Sequence, residues 1–178
     1  MAAATMGEYT KDEFFRGFQR LNCDSVSAMK KKLPTLRKEL SDDDKFKDTY
    51  EYAFGFSREK GQKSLTLDTA IGMWKLLFGI YEWTLCDSWC DFIETNHKKV
   101  SEYRVPHSLQ NCPRADALLS PSIPPPSHKA ITKDTWFQLF EFAKQFGDDL
   151  SSYDENGAWP YLIDEFVEWR QEQEGMKA

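Results

Sequence analysis

Apolar residues recur at intervals of three and four along most of this sequence, as they do at Phe14, Phe18 and Leu21. This spacing places them on one face of an α-helix, whereas a half-buried strand alternates apolar and polar residues. No alternating segment stands out in the chain. The sequence therefore predicts an all-α fold, in which each helix turns an apolar face toward a shared core.

Local signals predict where several helices begin and end. Thr10 and Glu13 have the spacing of a capping box, so the first helix should begin after Thr10. Pro34 interrupts the second apolar stripe and predicts a kink or two short helices, because proline lacks the N–H that a helix interior needs. Gly79 is expected to end the fourth helix, and the fifth helix should end near His97.

One segment departs from the helical pattern. Residues 100–129 contain six proline and five serine residues and no sustained apolar period. The run Pro124–Pro126 excludes a helix interior. A single domain can tolerate such a segment, because doubling the length of a flexible loop costs only about 0.6 kcal/mol. We therefore expect a long Pro/Ser-rich loop, a disordered insertion at 100–129, within one helical domain.

Composition argues against several classes of protein. The chain has 178 residues, 40% of them hydrophobic, which is enough for one domain with its own core. A net charge of −6 argues against general nucleic-acid binding. The sequence has no run of 18 uncharged apolar residues and begins without the features of a secretory signal. We expect neither nucleic acid nor membrane as a partner, and a location in the cytoplasm and nucleus.

Candidate metal and catalytic sites are weak. Cys86, Cys90 and His97 could share a helix face, but structural zinc usually takes four ligands with tighter pairing. Asp154–Gly157 resembles part of an EF-hand loop, yet Ile163 occupies the position of the bidentate glutamate. No nucleophile–base arrangement or glycine-rich phosphate loop is evident. We therefore predict no catalytic residue, no metal and no cofactor, and an EF-hand-like helical domain without calcium ligands.

Negative charge is concentrated toward the C-terminus. From Asp134 to Glu174 there are 11 acidic and two basic residues, a net charge of −9. The rest of the chain therefore carries +3, since the whole carries −6. An excess of this kind is either an ordinary solubilising surface or a surface complementary to a basic partner.

The most specific motif lies in this acidic region. Gly157–Glu168, which reads GAWPYLIDEFVE, resembles the C-terminal part of the defective-in-cullin-neddylation (DCN1-like) family. Shorter matches lie elsewhere in the chain, at Phe46–Asp48, Gly61–Lys63, Ala70–Ile71, Thr132–Trp136 and Asp149–Asp154. The similarity covers residues 4–99 and 130–172. It implies a single potentiating-neddylation domain over residues 4–172, with the insertion at 100–129 inside it.

The resemblance implies a scaffold and not an enzyme. Members of the family bind the E2 of a ubiquitin-like modifier on one side and the winged-helix end of a cullin on the other, and so promote neddylation. Such stimulation comes from proximity and orientation, without a covalent intermediate on the scaffold. The expected partners are the C-terminal winged-helix domain of a cullin and the N-acetylated E2 of the neddylation pathway.

The resemblance implies two binding sites, whose residues are assigned here by matching positions to the family motif. The cullin-facing residues are Asp134, Ala158 and Asp164. The residues matched to the groove for the E2 are Met6, Tyr9, Phe56, Met73 and Leu76. Two carboxylates beside a small residue leave room for a basic side chain. Acetylation of the E2 removes a charge that an apolar groove would accommodate only at a high cost.

The sequence departs from the family pattern in two places. Family domains begin before Ala4, with helices that form the other wall of the E2 groove, and residues 100–129 have no counterpart. We therefore expect an N-terminally truncated domain with weaker E2 binding and an exposed apolar patch near Phe14 and Phe56. The alternative is a truncated isoform that binds cullin but not the E2, and so acts as a competitor.

Overall fold

The computed structural model describes residues 3–4, 6–102, 130–154 and 157–175. Within these ranges the chain forms seven helices and two short strands, which confirms the predicted all-α class. In chain order they are α1 (Lys11–Arg20), α2 (Val26–Glu39), α3 (Asp43–Ser57), β1 (Leu65–Thr66), α4 (Leu67–Tyr81), α5 (Cys86–Glu102), β2 (Ala130–Ile131), α6 (Lys133–Phe146) and α7 (Tyr161–Gly175). None of the helices in these ranges combines the length and the apolar character needed to cross a membrane.

Polar side chains begin most of the helices. Thr10 and Glu13 form the predicted capping box, in which the Glu13 carboxylate accepts from the Thr10 N–H at 2.8 Å. Hydrogen bonds from the Thr10 backbone and side chain lower the pKa of Glu13. Four further N-caps accept the N–H three residues ahead: Ser25, Asp42, Thr66 and Thr132. Each cap satisfies a donor that the first turn of a helix leaves without a partner.

Three helix boundaries differ from the sequence prediction. α2 continues through Pro34 as one helix, so a division into two helices is wrong. Pro34 is exposed, so water can bond the carbonyl that loses its helical partner. Gly79 does not end α4, which continues to Tyr81 and ends where Glu82 adopts the left-handed conformation, with φ of 61°. The ring of Trp83 packs on Phe78 at 4.7 Å and so supports this last turn. α5 continues to Glu102, so residues 100–102 of the predicted insertion at 100–129 are helical, and residues 103–129 lie outside the described residues.

The two strands form a short antiparallel ladder that the sequence did not predict. Leu65 pairs with Ile131, and Thr66 pairs with Ala130. Leu65 and Ile131 are each only 1% exposed, so the ladder is anchored in the core. Each strand leads directly into a helix, β1 into α4 and β2 into α6. The paired strands thus join the N-terminal ends of α4 and α6, which agrees with the predicted EF-hand-like architecture.

The core consists largely of aromatic rings. Tyr50 of α3, Trp74 of α4 and Trp136 of α6 are fully buried. Trp136 stacks on Tyr50 at 4.7 Å and on Trp74 at 5.3 Å between ring centroids. The Tyr50 hydroxyl donates to the Trp136 carbonyl and accepts from Trp74 Nε1, both at 3.0 Å. α7 joins this core through Phe166, which packs edge to face on Trp89 at 5.2 Å.

The N-terminal helices are packed less deeply. α2 has an apolar stripe but no fully buried residue, and Val26 and Leu33 are 56% and 42% exposed. On α1, Phe18 is buried, whereas Phe14 and Phe15 remain 40% and 54% exposed. The exposed apolar surface expected around Phe14 is therefore present in the structure.

Candidate functional site

A tight turn carries Ala158 to the beginning of α7. The Gly157 N–H donates to the Asp154 carbonyl at 2.9 Å. A Cβ atom at position 157 would lie 2.9 Å from that oxygen and 3.0 Å from the Trp159 ring, so only glycine fits without displacement. Trp159 packs edge to face on Phe142 of α6 with centroids 5.8 Å apart. The turn is thereby attached to the core, and Ala158 lies exposed within it.

Asp164 lies in the first turn of α7, half-buried and held by a tyrosine. The Tyr153 hydroxyl donates to Asp164 Oδ1. The Tyr153 ring packs against Phe142 and Phe146 of α6, with centroids 5.9 Å and 5.4 Å apart. A carboxylate has about four acceptor positions, of which this bond uses one. Asp164 can therefore also accept from a partner, and we call Ala158 and Asp164 together the α7-start site.

Asp134 lies in the first turn of α6, where it is exposed. Phe142, on which Tyr153 packs, follows eight residues later, about 12 Å further along the helix axis. Ala158 thus lies in the turn before α7, and Asp164 lies in the first turn of that helix, six residues later. Asp134 lies at the N-terminal end of α6, whereas Tyr153 packs on Phe142 and Phe146 in the C-terminal half of that helix.

Further acidic residues lie close to the α7-start site in the sequence. The charge of Glu165, followed by a hydrogen bond to its carboxylate, raises the pKa of the Tyr161 phenol. In the preceding loop, hydrogen bonds from Ser151 lower the pKa of Asp149 and keep its carboxylate ionised. Asp164 and Glu165 also lie near a helix N-terminus, where the helix dipole stabilises negative charge. The excess of carboxylates over basic side chains in this region favours binding of a lysine or arginine side chain.

Met6, Tyr9 and Phe56 lie near the end of α3. Met6 and Tyr9 precede α1 and are 51% and 52% exposed. The Met6 N–H donates to the Phe56 carbonyl at 3.2 Å, which fastens this segment to α3. Phe56 in turn stacks on Tyr52 with ring centroids 5.5 Å apart. The structure therefore brings Met6 and Phe56 together.

Met73 and Leu76 lie on the neighbouring helix α4. Met73 is half-buried against the core, whereas Leu76 is 60% exposed. Ile80, one turn beyond Leu76, is 40% exposed. An apolar stripe left open to solvent is more typical of a binding surface than of a core. We use the name apolar surface for two groups of residues, Met6, Tyr9 and Phe56 near the end of α3 and Met73 and Leu76 on α4.

The weak metal candidates gain no support. Cys86 and Cys90 are buried free thiols. A hydrogen bond with Cys86, together with burial, raises the pKa of the Cys90 thiol. The His97 side chain lies outside the described residues. Within the described ranges, no group of three or more His, Cys, Asp or Glu side chains could hold a metal ion. Ile163, at the calcium-ligand position, is fully buried.

Sequence analysis missed Tyr153 as part of the site. This tyrosine lies within Asp149–Asp154, a segment noted only for its resemblance to the family. Tyr153 lies in the loop before α7 and Asp164 lies inside that helix, so no periodicity relates the two residues. The available signal was a tyrosine in an acidic loop just before a helix.

Comparison with known proteins matches most of the chain to one family. The family model described as Cullin binding matches residues 28–169. This range contains Asp134, Ala158 and Asp164, and it begins after Met6 and Tyr9.

Several curated relatives are similar over nearly the whole chain. DCN1-like protein 5 from Homo sapiens is 37% identical over 170 residues, which is 96% of this chain and 59% of that protein. DCN1-like protein 3 from Xenopus tropicalis is 36% identical over 172 residues, 96% of this chain and 48% of that protein. The chain thus spans less than two thirds of the length of these relatives. Because the family model covers well over half of the chain, this protein belongs to the cullin-binding family of DCN1-like proteins.

Proposed function

We propose that this chain is a non-catalytic scaffold that promotes the neddylation of cullins. It binds the C-terminal winged-helix domain of a cullin through the α7-start site and Asp134. It binds the N-acetylated E2 of the pathway through the apolar surface. The α7-start site carries the proposal, because the exposed Ala158 and the Asp164 carboxylate held by Tyr153 both lie inside the range that matches the cullin-binding family.

The small size of Ala158 is central to recognition. Its side chain is exposed and ends at Cβ, so it leaves room on the turn for the stem of a lysine or arginine whose charge reaches Asp164. A hydrogen bond from such a cation to a carboxylate is about twice as strong as one between neutral groups. The net charge of −9 between Asp134 and Glu174 also attracts a basic surface at longer range.

The scaffold works by holding two partners in a fixed relation. Asp134 lies on α6, and Leu76 lies on α4. These helices share the core through Trp136 and Trp74, which stack with centroids 5.3 Å apart. A rigid connection between the two surfaces supports a role in orienting the E2 thioester toward a cullin lysine, which raises the effective concentration of the reacting groups.

Calorimetric titration with the cullin winged-helix domain tests whether this chain binds cullin through the α7-start site. Asp164→Lys places like charge against the basic surface of the partner, so we expect binding to weaken by more than about tenfold. Glu172→Lys is the matched control, because it makes the same change in charge at an exposed position two turns further along α7. Equal losses in the two variants would contradict the assignment of the site.

One observation supports a second candidate function. Met6, Tyr9 and Leu76 are each more than half exposed, so part of the apolar surface lacks cover within the described ranges. A chain that binds cullin but not the E2 would compete with the longer DCN1-like proteins. Titration with an E2 peptide, either N-acetylated or with a free amine, separates the two functions. A scaffold binds the acetylated peptide and raises the rate of cullin modification, whereas a competitor lowers that rate when a DCN1-like protein is present.

A further inference from the structure

We infer that Tyr153 is a positioning residue for cullin recognition, which holds the Asp164 carboxylate ready for a cation of the partner. The inference rests on the proposed function of the α7-start site. Tyr153 reaches Asp164 from the loop between α6 and α7, and its hydroxyl donates to Oδ1. It acts on the partner through Asp164.

The Tyr153 ring has little freedom to move. It packs edge to face on Phe142 and Phe146 of α6, with centroids 5.9 Å and 5.4 Å apart. Phe142 is fully buried and also contacts Phe166 of α7 at 6.3 Å. The Tyr153 N–H donates to the Leu150 carbonyl at 3.1 Å, which orders the backbone of the loop. The hydroxyl is therefore fixed relative to both helices.

The hydrogen bond from Tyr153 restricts the Asp164 side chain before a partner binds. An aspartate near the end of a helix otherwise samples several staggered rotamers. The bond from Tyr153 selects the one in which Oδ1 points toward the loop. Ordering a side chain in advance reduces the conformational entropy that binding would otherwise remove. The remaining acceptor positions of the carboxylate stay available to the cation.

The first test is Tyr153→Phe, which keeps the ring packing and removes the hydroxyl. Titration of the variant with the cullin winged-helix domain should give a Kd about fivefold higher than that of the wild-type chain. Tyr52→Phe is the matched control, because the Tyr52 hydroxyl also makes a hydrogen bond, to the Ala3 carbonyl, but lies on α3. The control should leave the Kd for cullin unchanged.

A double-mutant cycle distinguishes positioning from a general structural role. In the Asp164→Ala background, Tyr153→Phe should cause almost no further loss of affinity, because the side chain that the hydroxyl orders is gone. An equal loss in both backgrounds, or no loss in the wild-type background, would overturn the inference. Failure of the wild-type chain to bind the cullin domain would overturn the proposed function as well. Thermal melts of all four proteins separate loss of binding from loss of folding.

Discussion

Removing the Tyr50 hydroxyl should destabilise the whole domain. Tyr50 is fully buried, and its hydroxyl donates to the Trp136 carbonyl and accepts from Trp74 Nε1, both at 3.0 Å. Tyr50→Phe keeps the ring but leaves the Trp74 N–H buried without an acceptor. An unsatisfied buried group costs about 1–3 kcal/mol, and the lost bond to the Trp136 carbonyl adds about 1 kcal/mol. We therefore expect the free energy of unfolding to fall by about 3 kcal/mol.

Urea unfolding followed by tryptophan fluorescence measures this difference directly. For a domain of this size, about 3 kcal/mol corresponds to a decrease of roughly 6–12 °C in Tm. Tyr52→Phe is the control, because Tyr52 is 41% exposed and water can replace its hydrogen bond to Ala3. A loss below about 0.5 kcal/mol for Tyr50→Phe, or an equal loss for both variants, would refute the argument that α3, α4 and α6 are joined through this hydroxyl.

Three further predictions concern the buried Tyr50, the tightly packed Gly157 and the exposed Leu76. Burial raises the pKa of Tyr50 well above its usual value, whereas the unfolded chain ionises it near pH 10. Unfolding therefore releases a proton at high pH, and denaturant titrations should show that stability falls as the pH rises above about 10, less steeply in Tyr50→Phe. Gly157→Ala should cost about 1–3 kcal/mol in unfolding free energy and weaken cullin binding, because its Cβ would lie 2.9 Å from the Asp154 carbonyl. The control Gly55→Ala meets no atom within 4 Å and should slightly stabilise α3. Leu76→Asp should abolish binding of the acetylated E2 peptide in calorimetry and change the unfolding free energy by less than about 0.5 kcal/mol, because Leu76 is 60% exposed.

Helix starts were predictable because the signals for them are local. The Thr10–Glu13 capping box depends on two residues three positions apart, and the structure confirms it. The end of α4 was not predictable in this way. Trp83, beyond the helix, packs on Phe78 and supports the last turn, so Gly79 is accommodated within α4. A tertiary contact here overrides the local preference of glycine for a helix end.

Long-range pairings account for what sequence analysis missed. The β1–β2 ladder has only two residues in each strand, too few for an alternating pattern, and its partners lie far apart in the chain. Likewise, the bond between Tyr153 and Asp164 depends on where α6 places Phe142 and Phe146. Ala158 and Asp164 could be named from the family motif, but the residue that orders Asp164 required the fold.

The β1–β2 ladder has a consequence for how this domain can be modified. Ala130 is held by Thr66, and Ile131 is held by Leu65, so α6 and Asp134 keep their place whatever length of chain connects Glu102 to Ala130. Doubling the length of a flexible connection between two fixed points costs only about 0.6 kcal/mol. The ladder therefore makes the stretch between Glu102 and Ala130 a suitable place to insert additional sequence. A fluorescent reporter or an affinity tag could be introduced between Glu102 and Ala130 while the surfaces on α4 and α7 keep their positions.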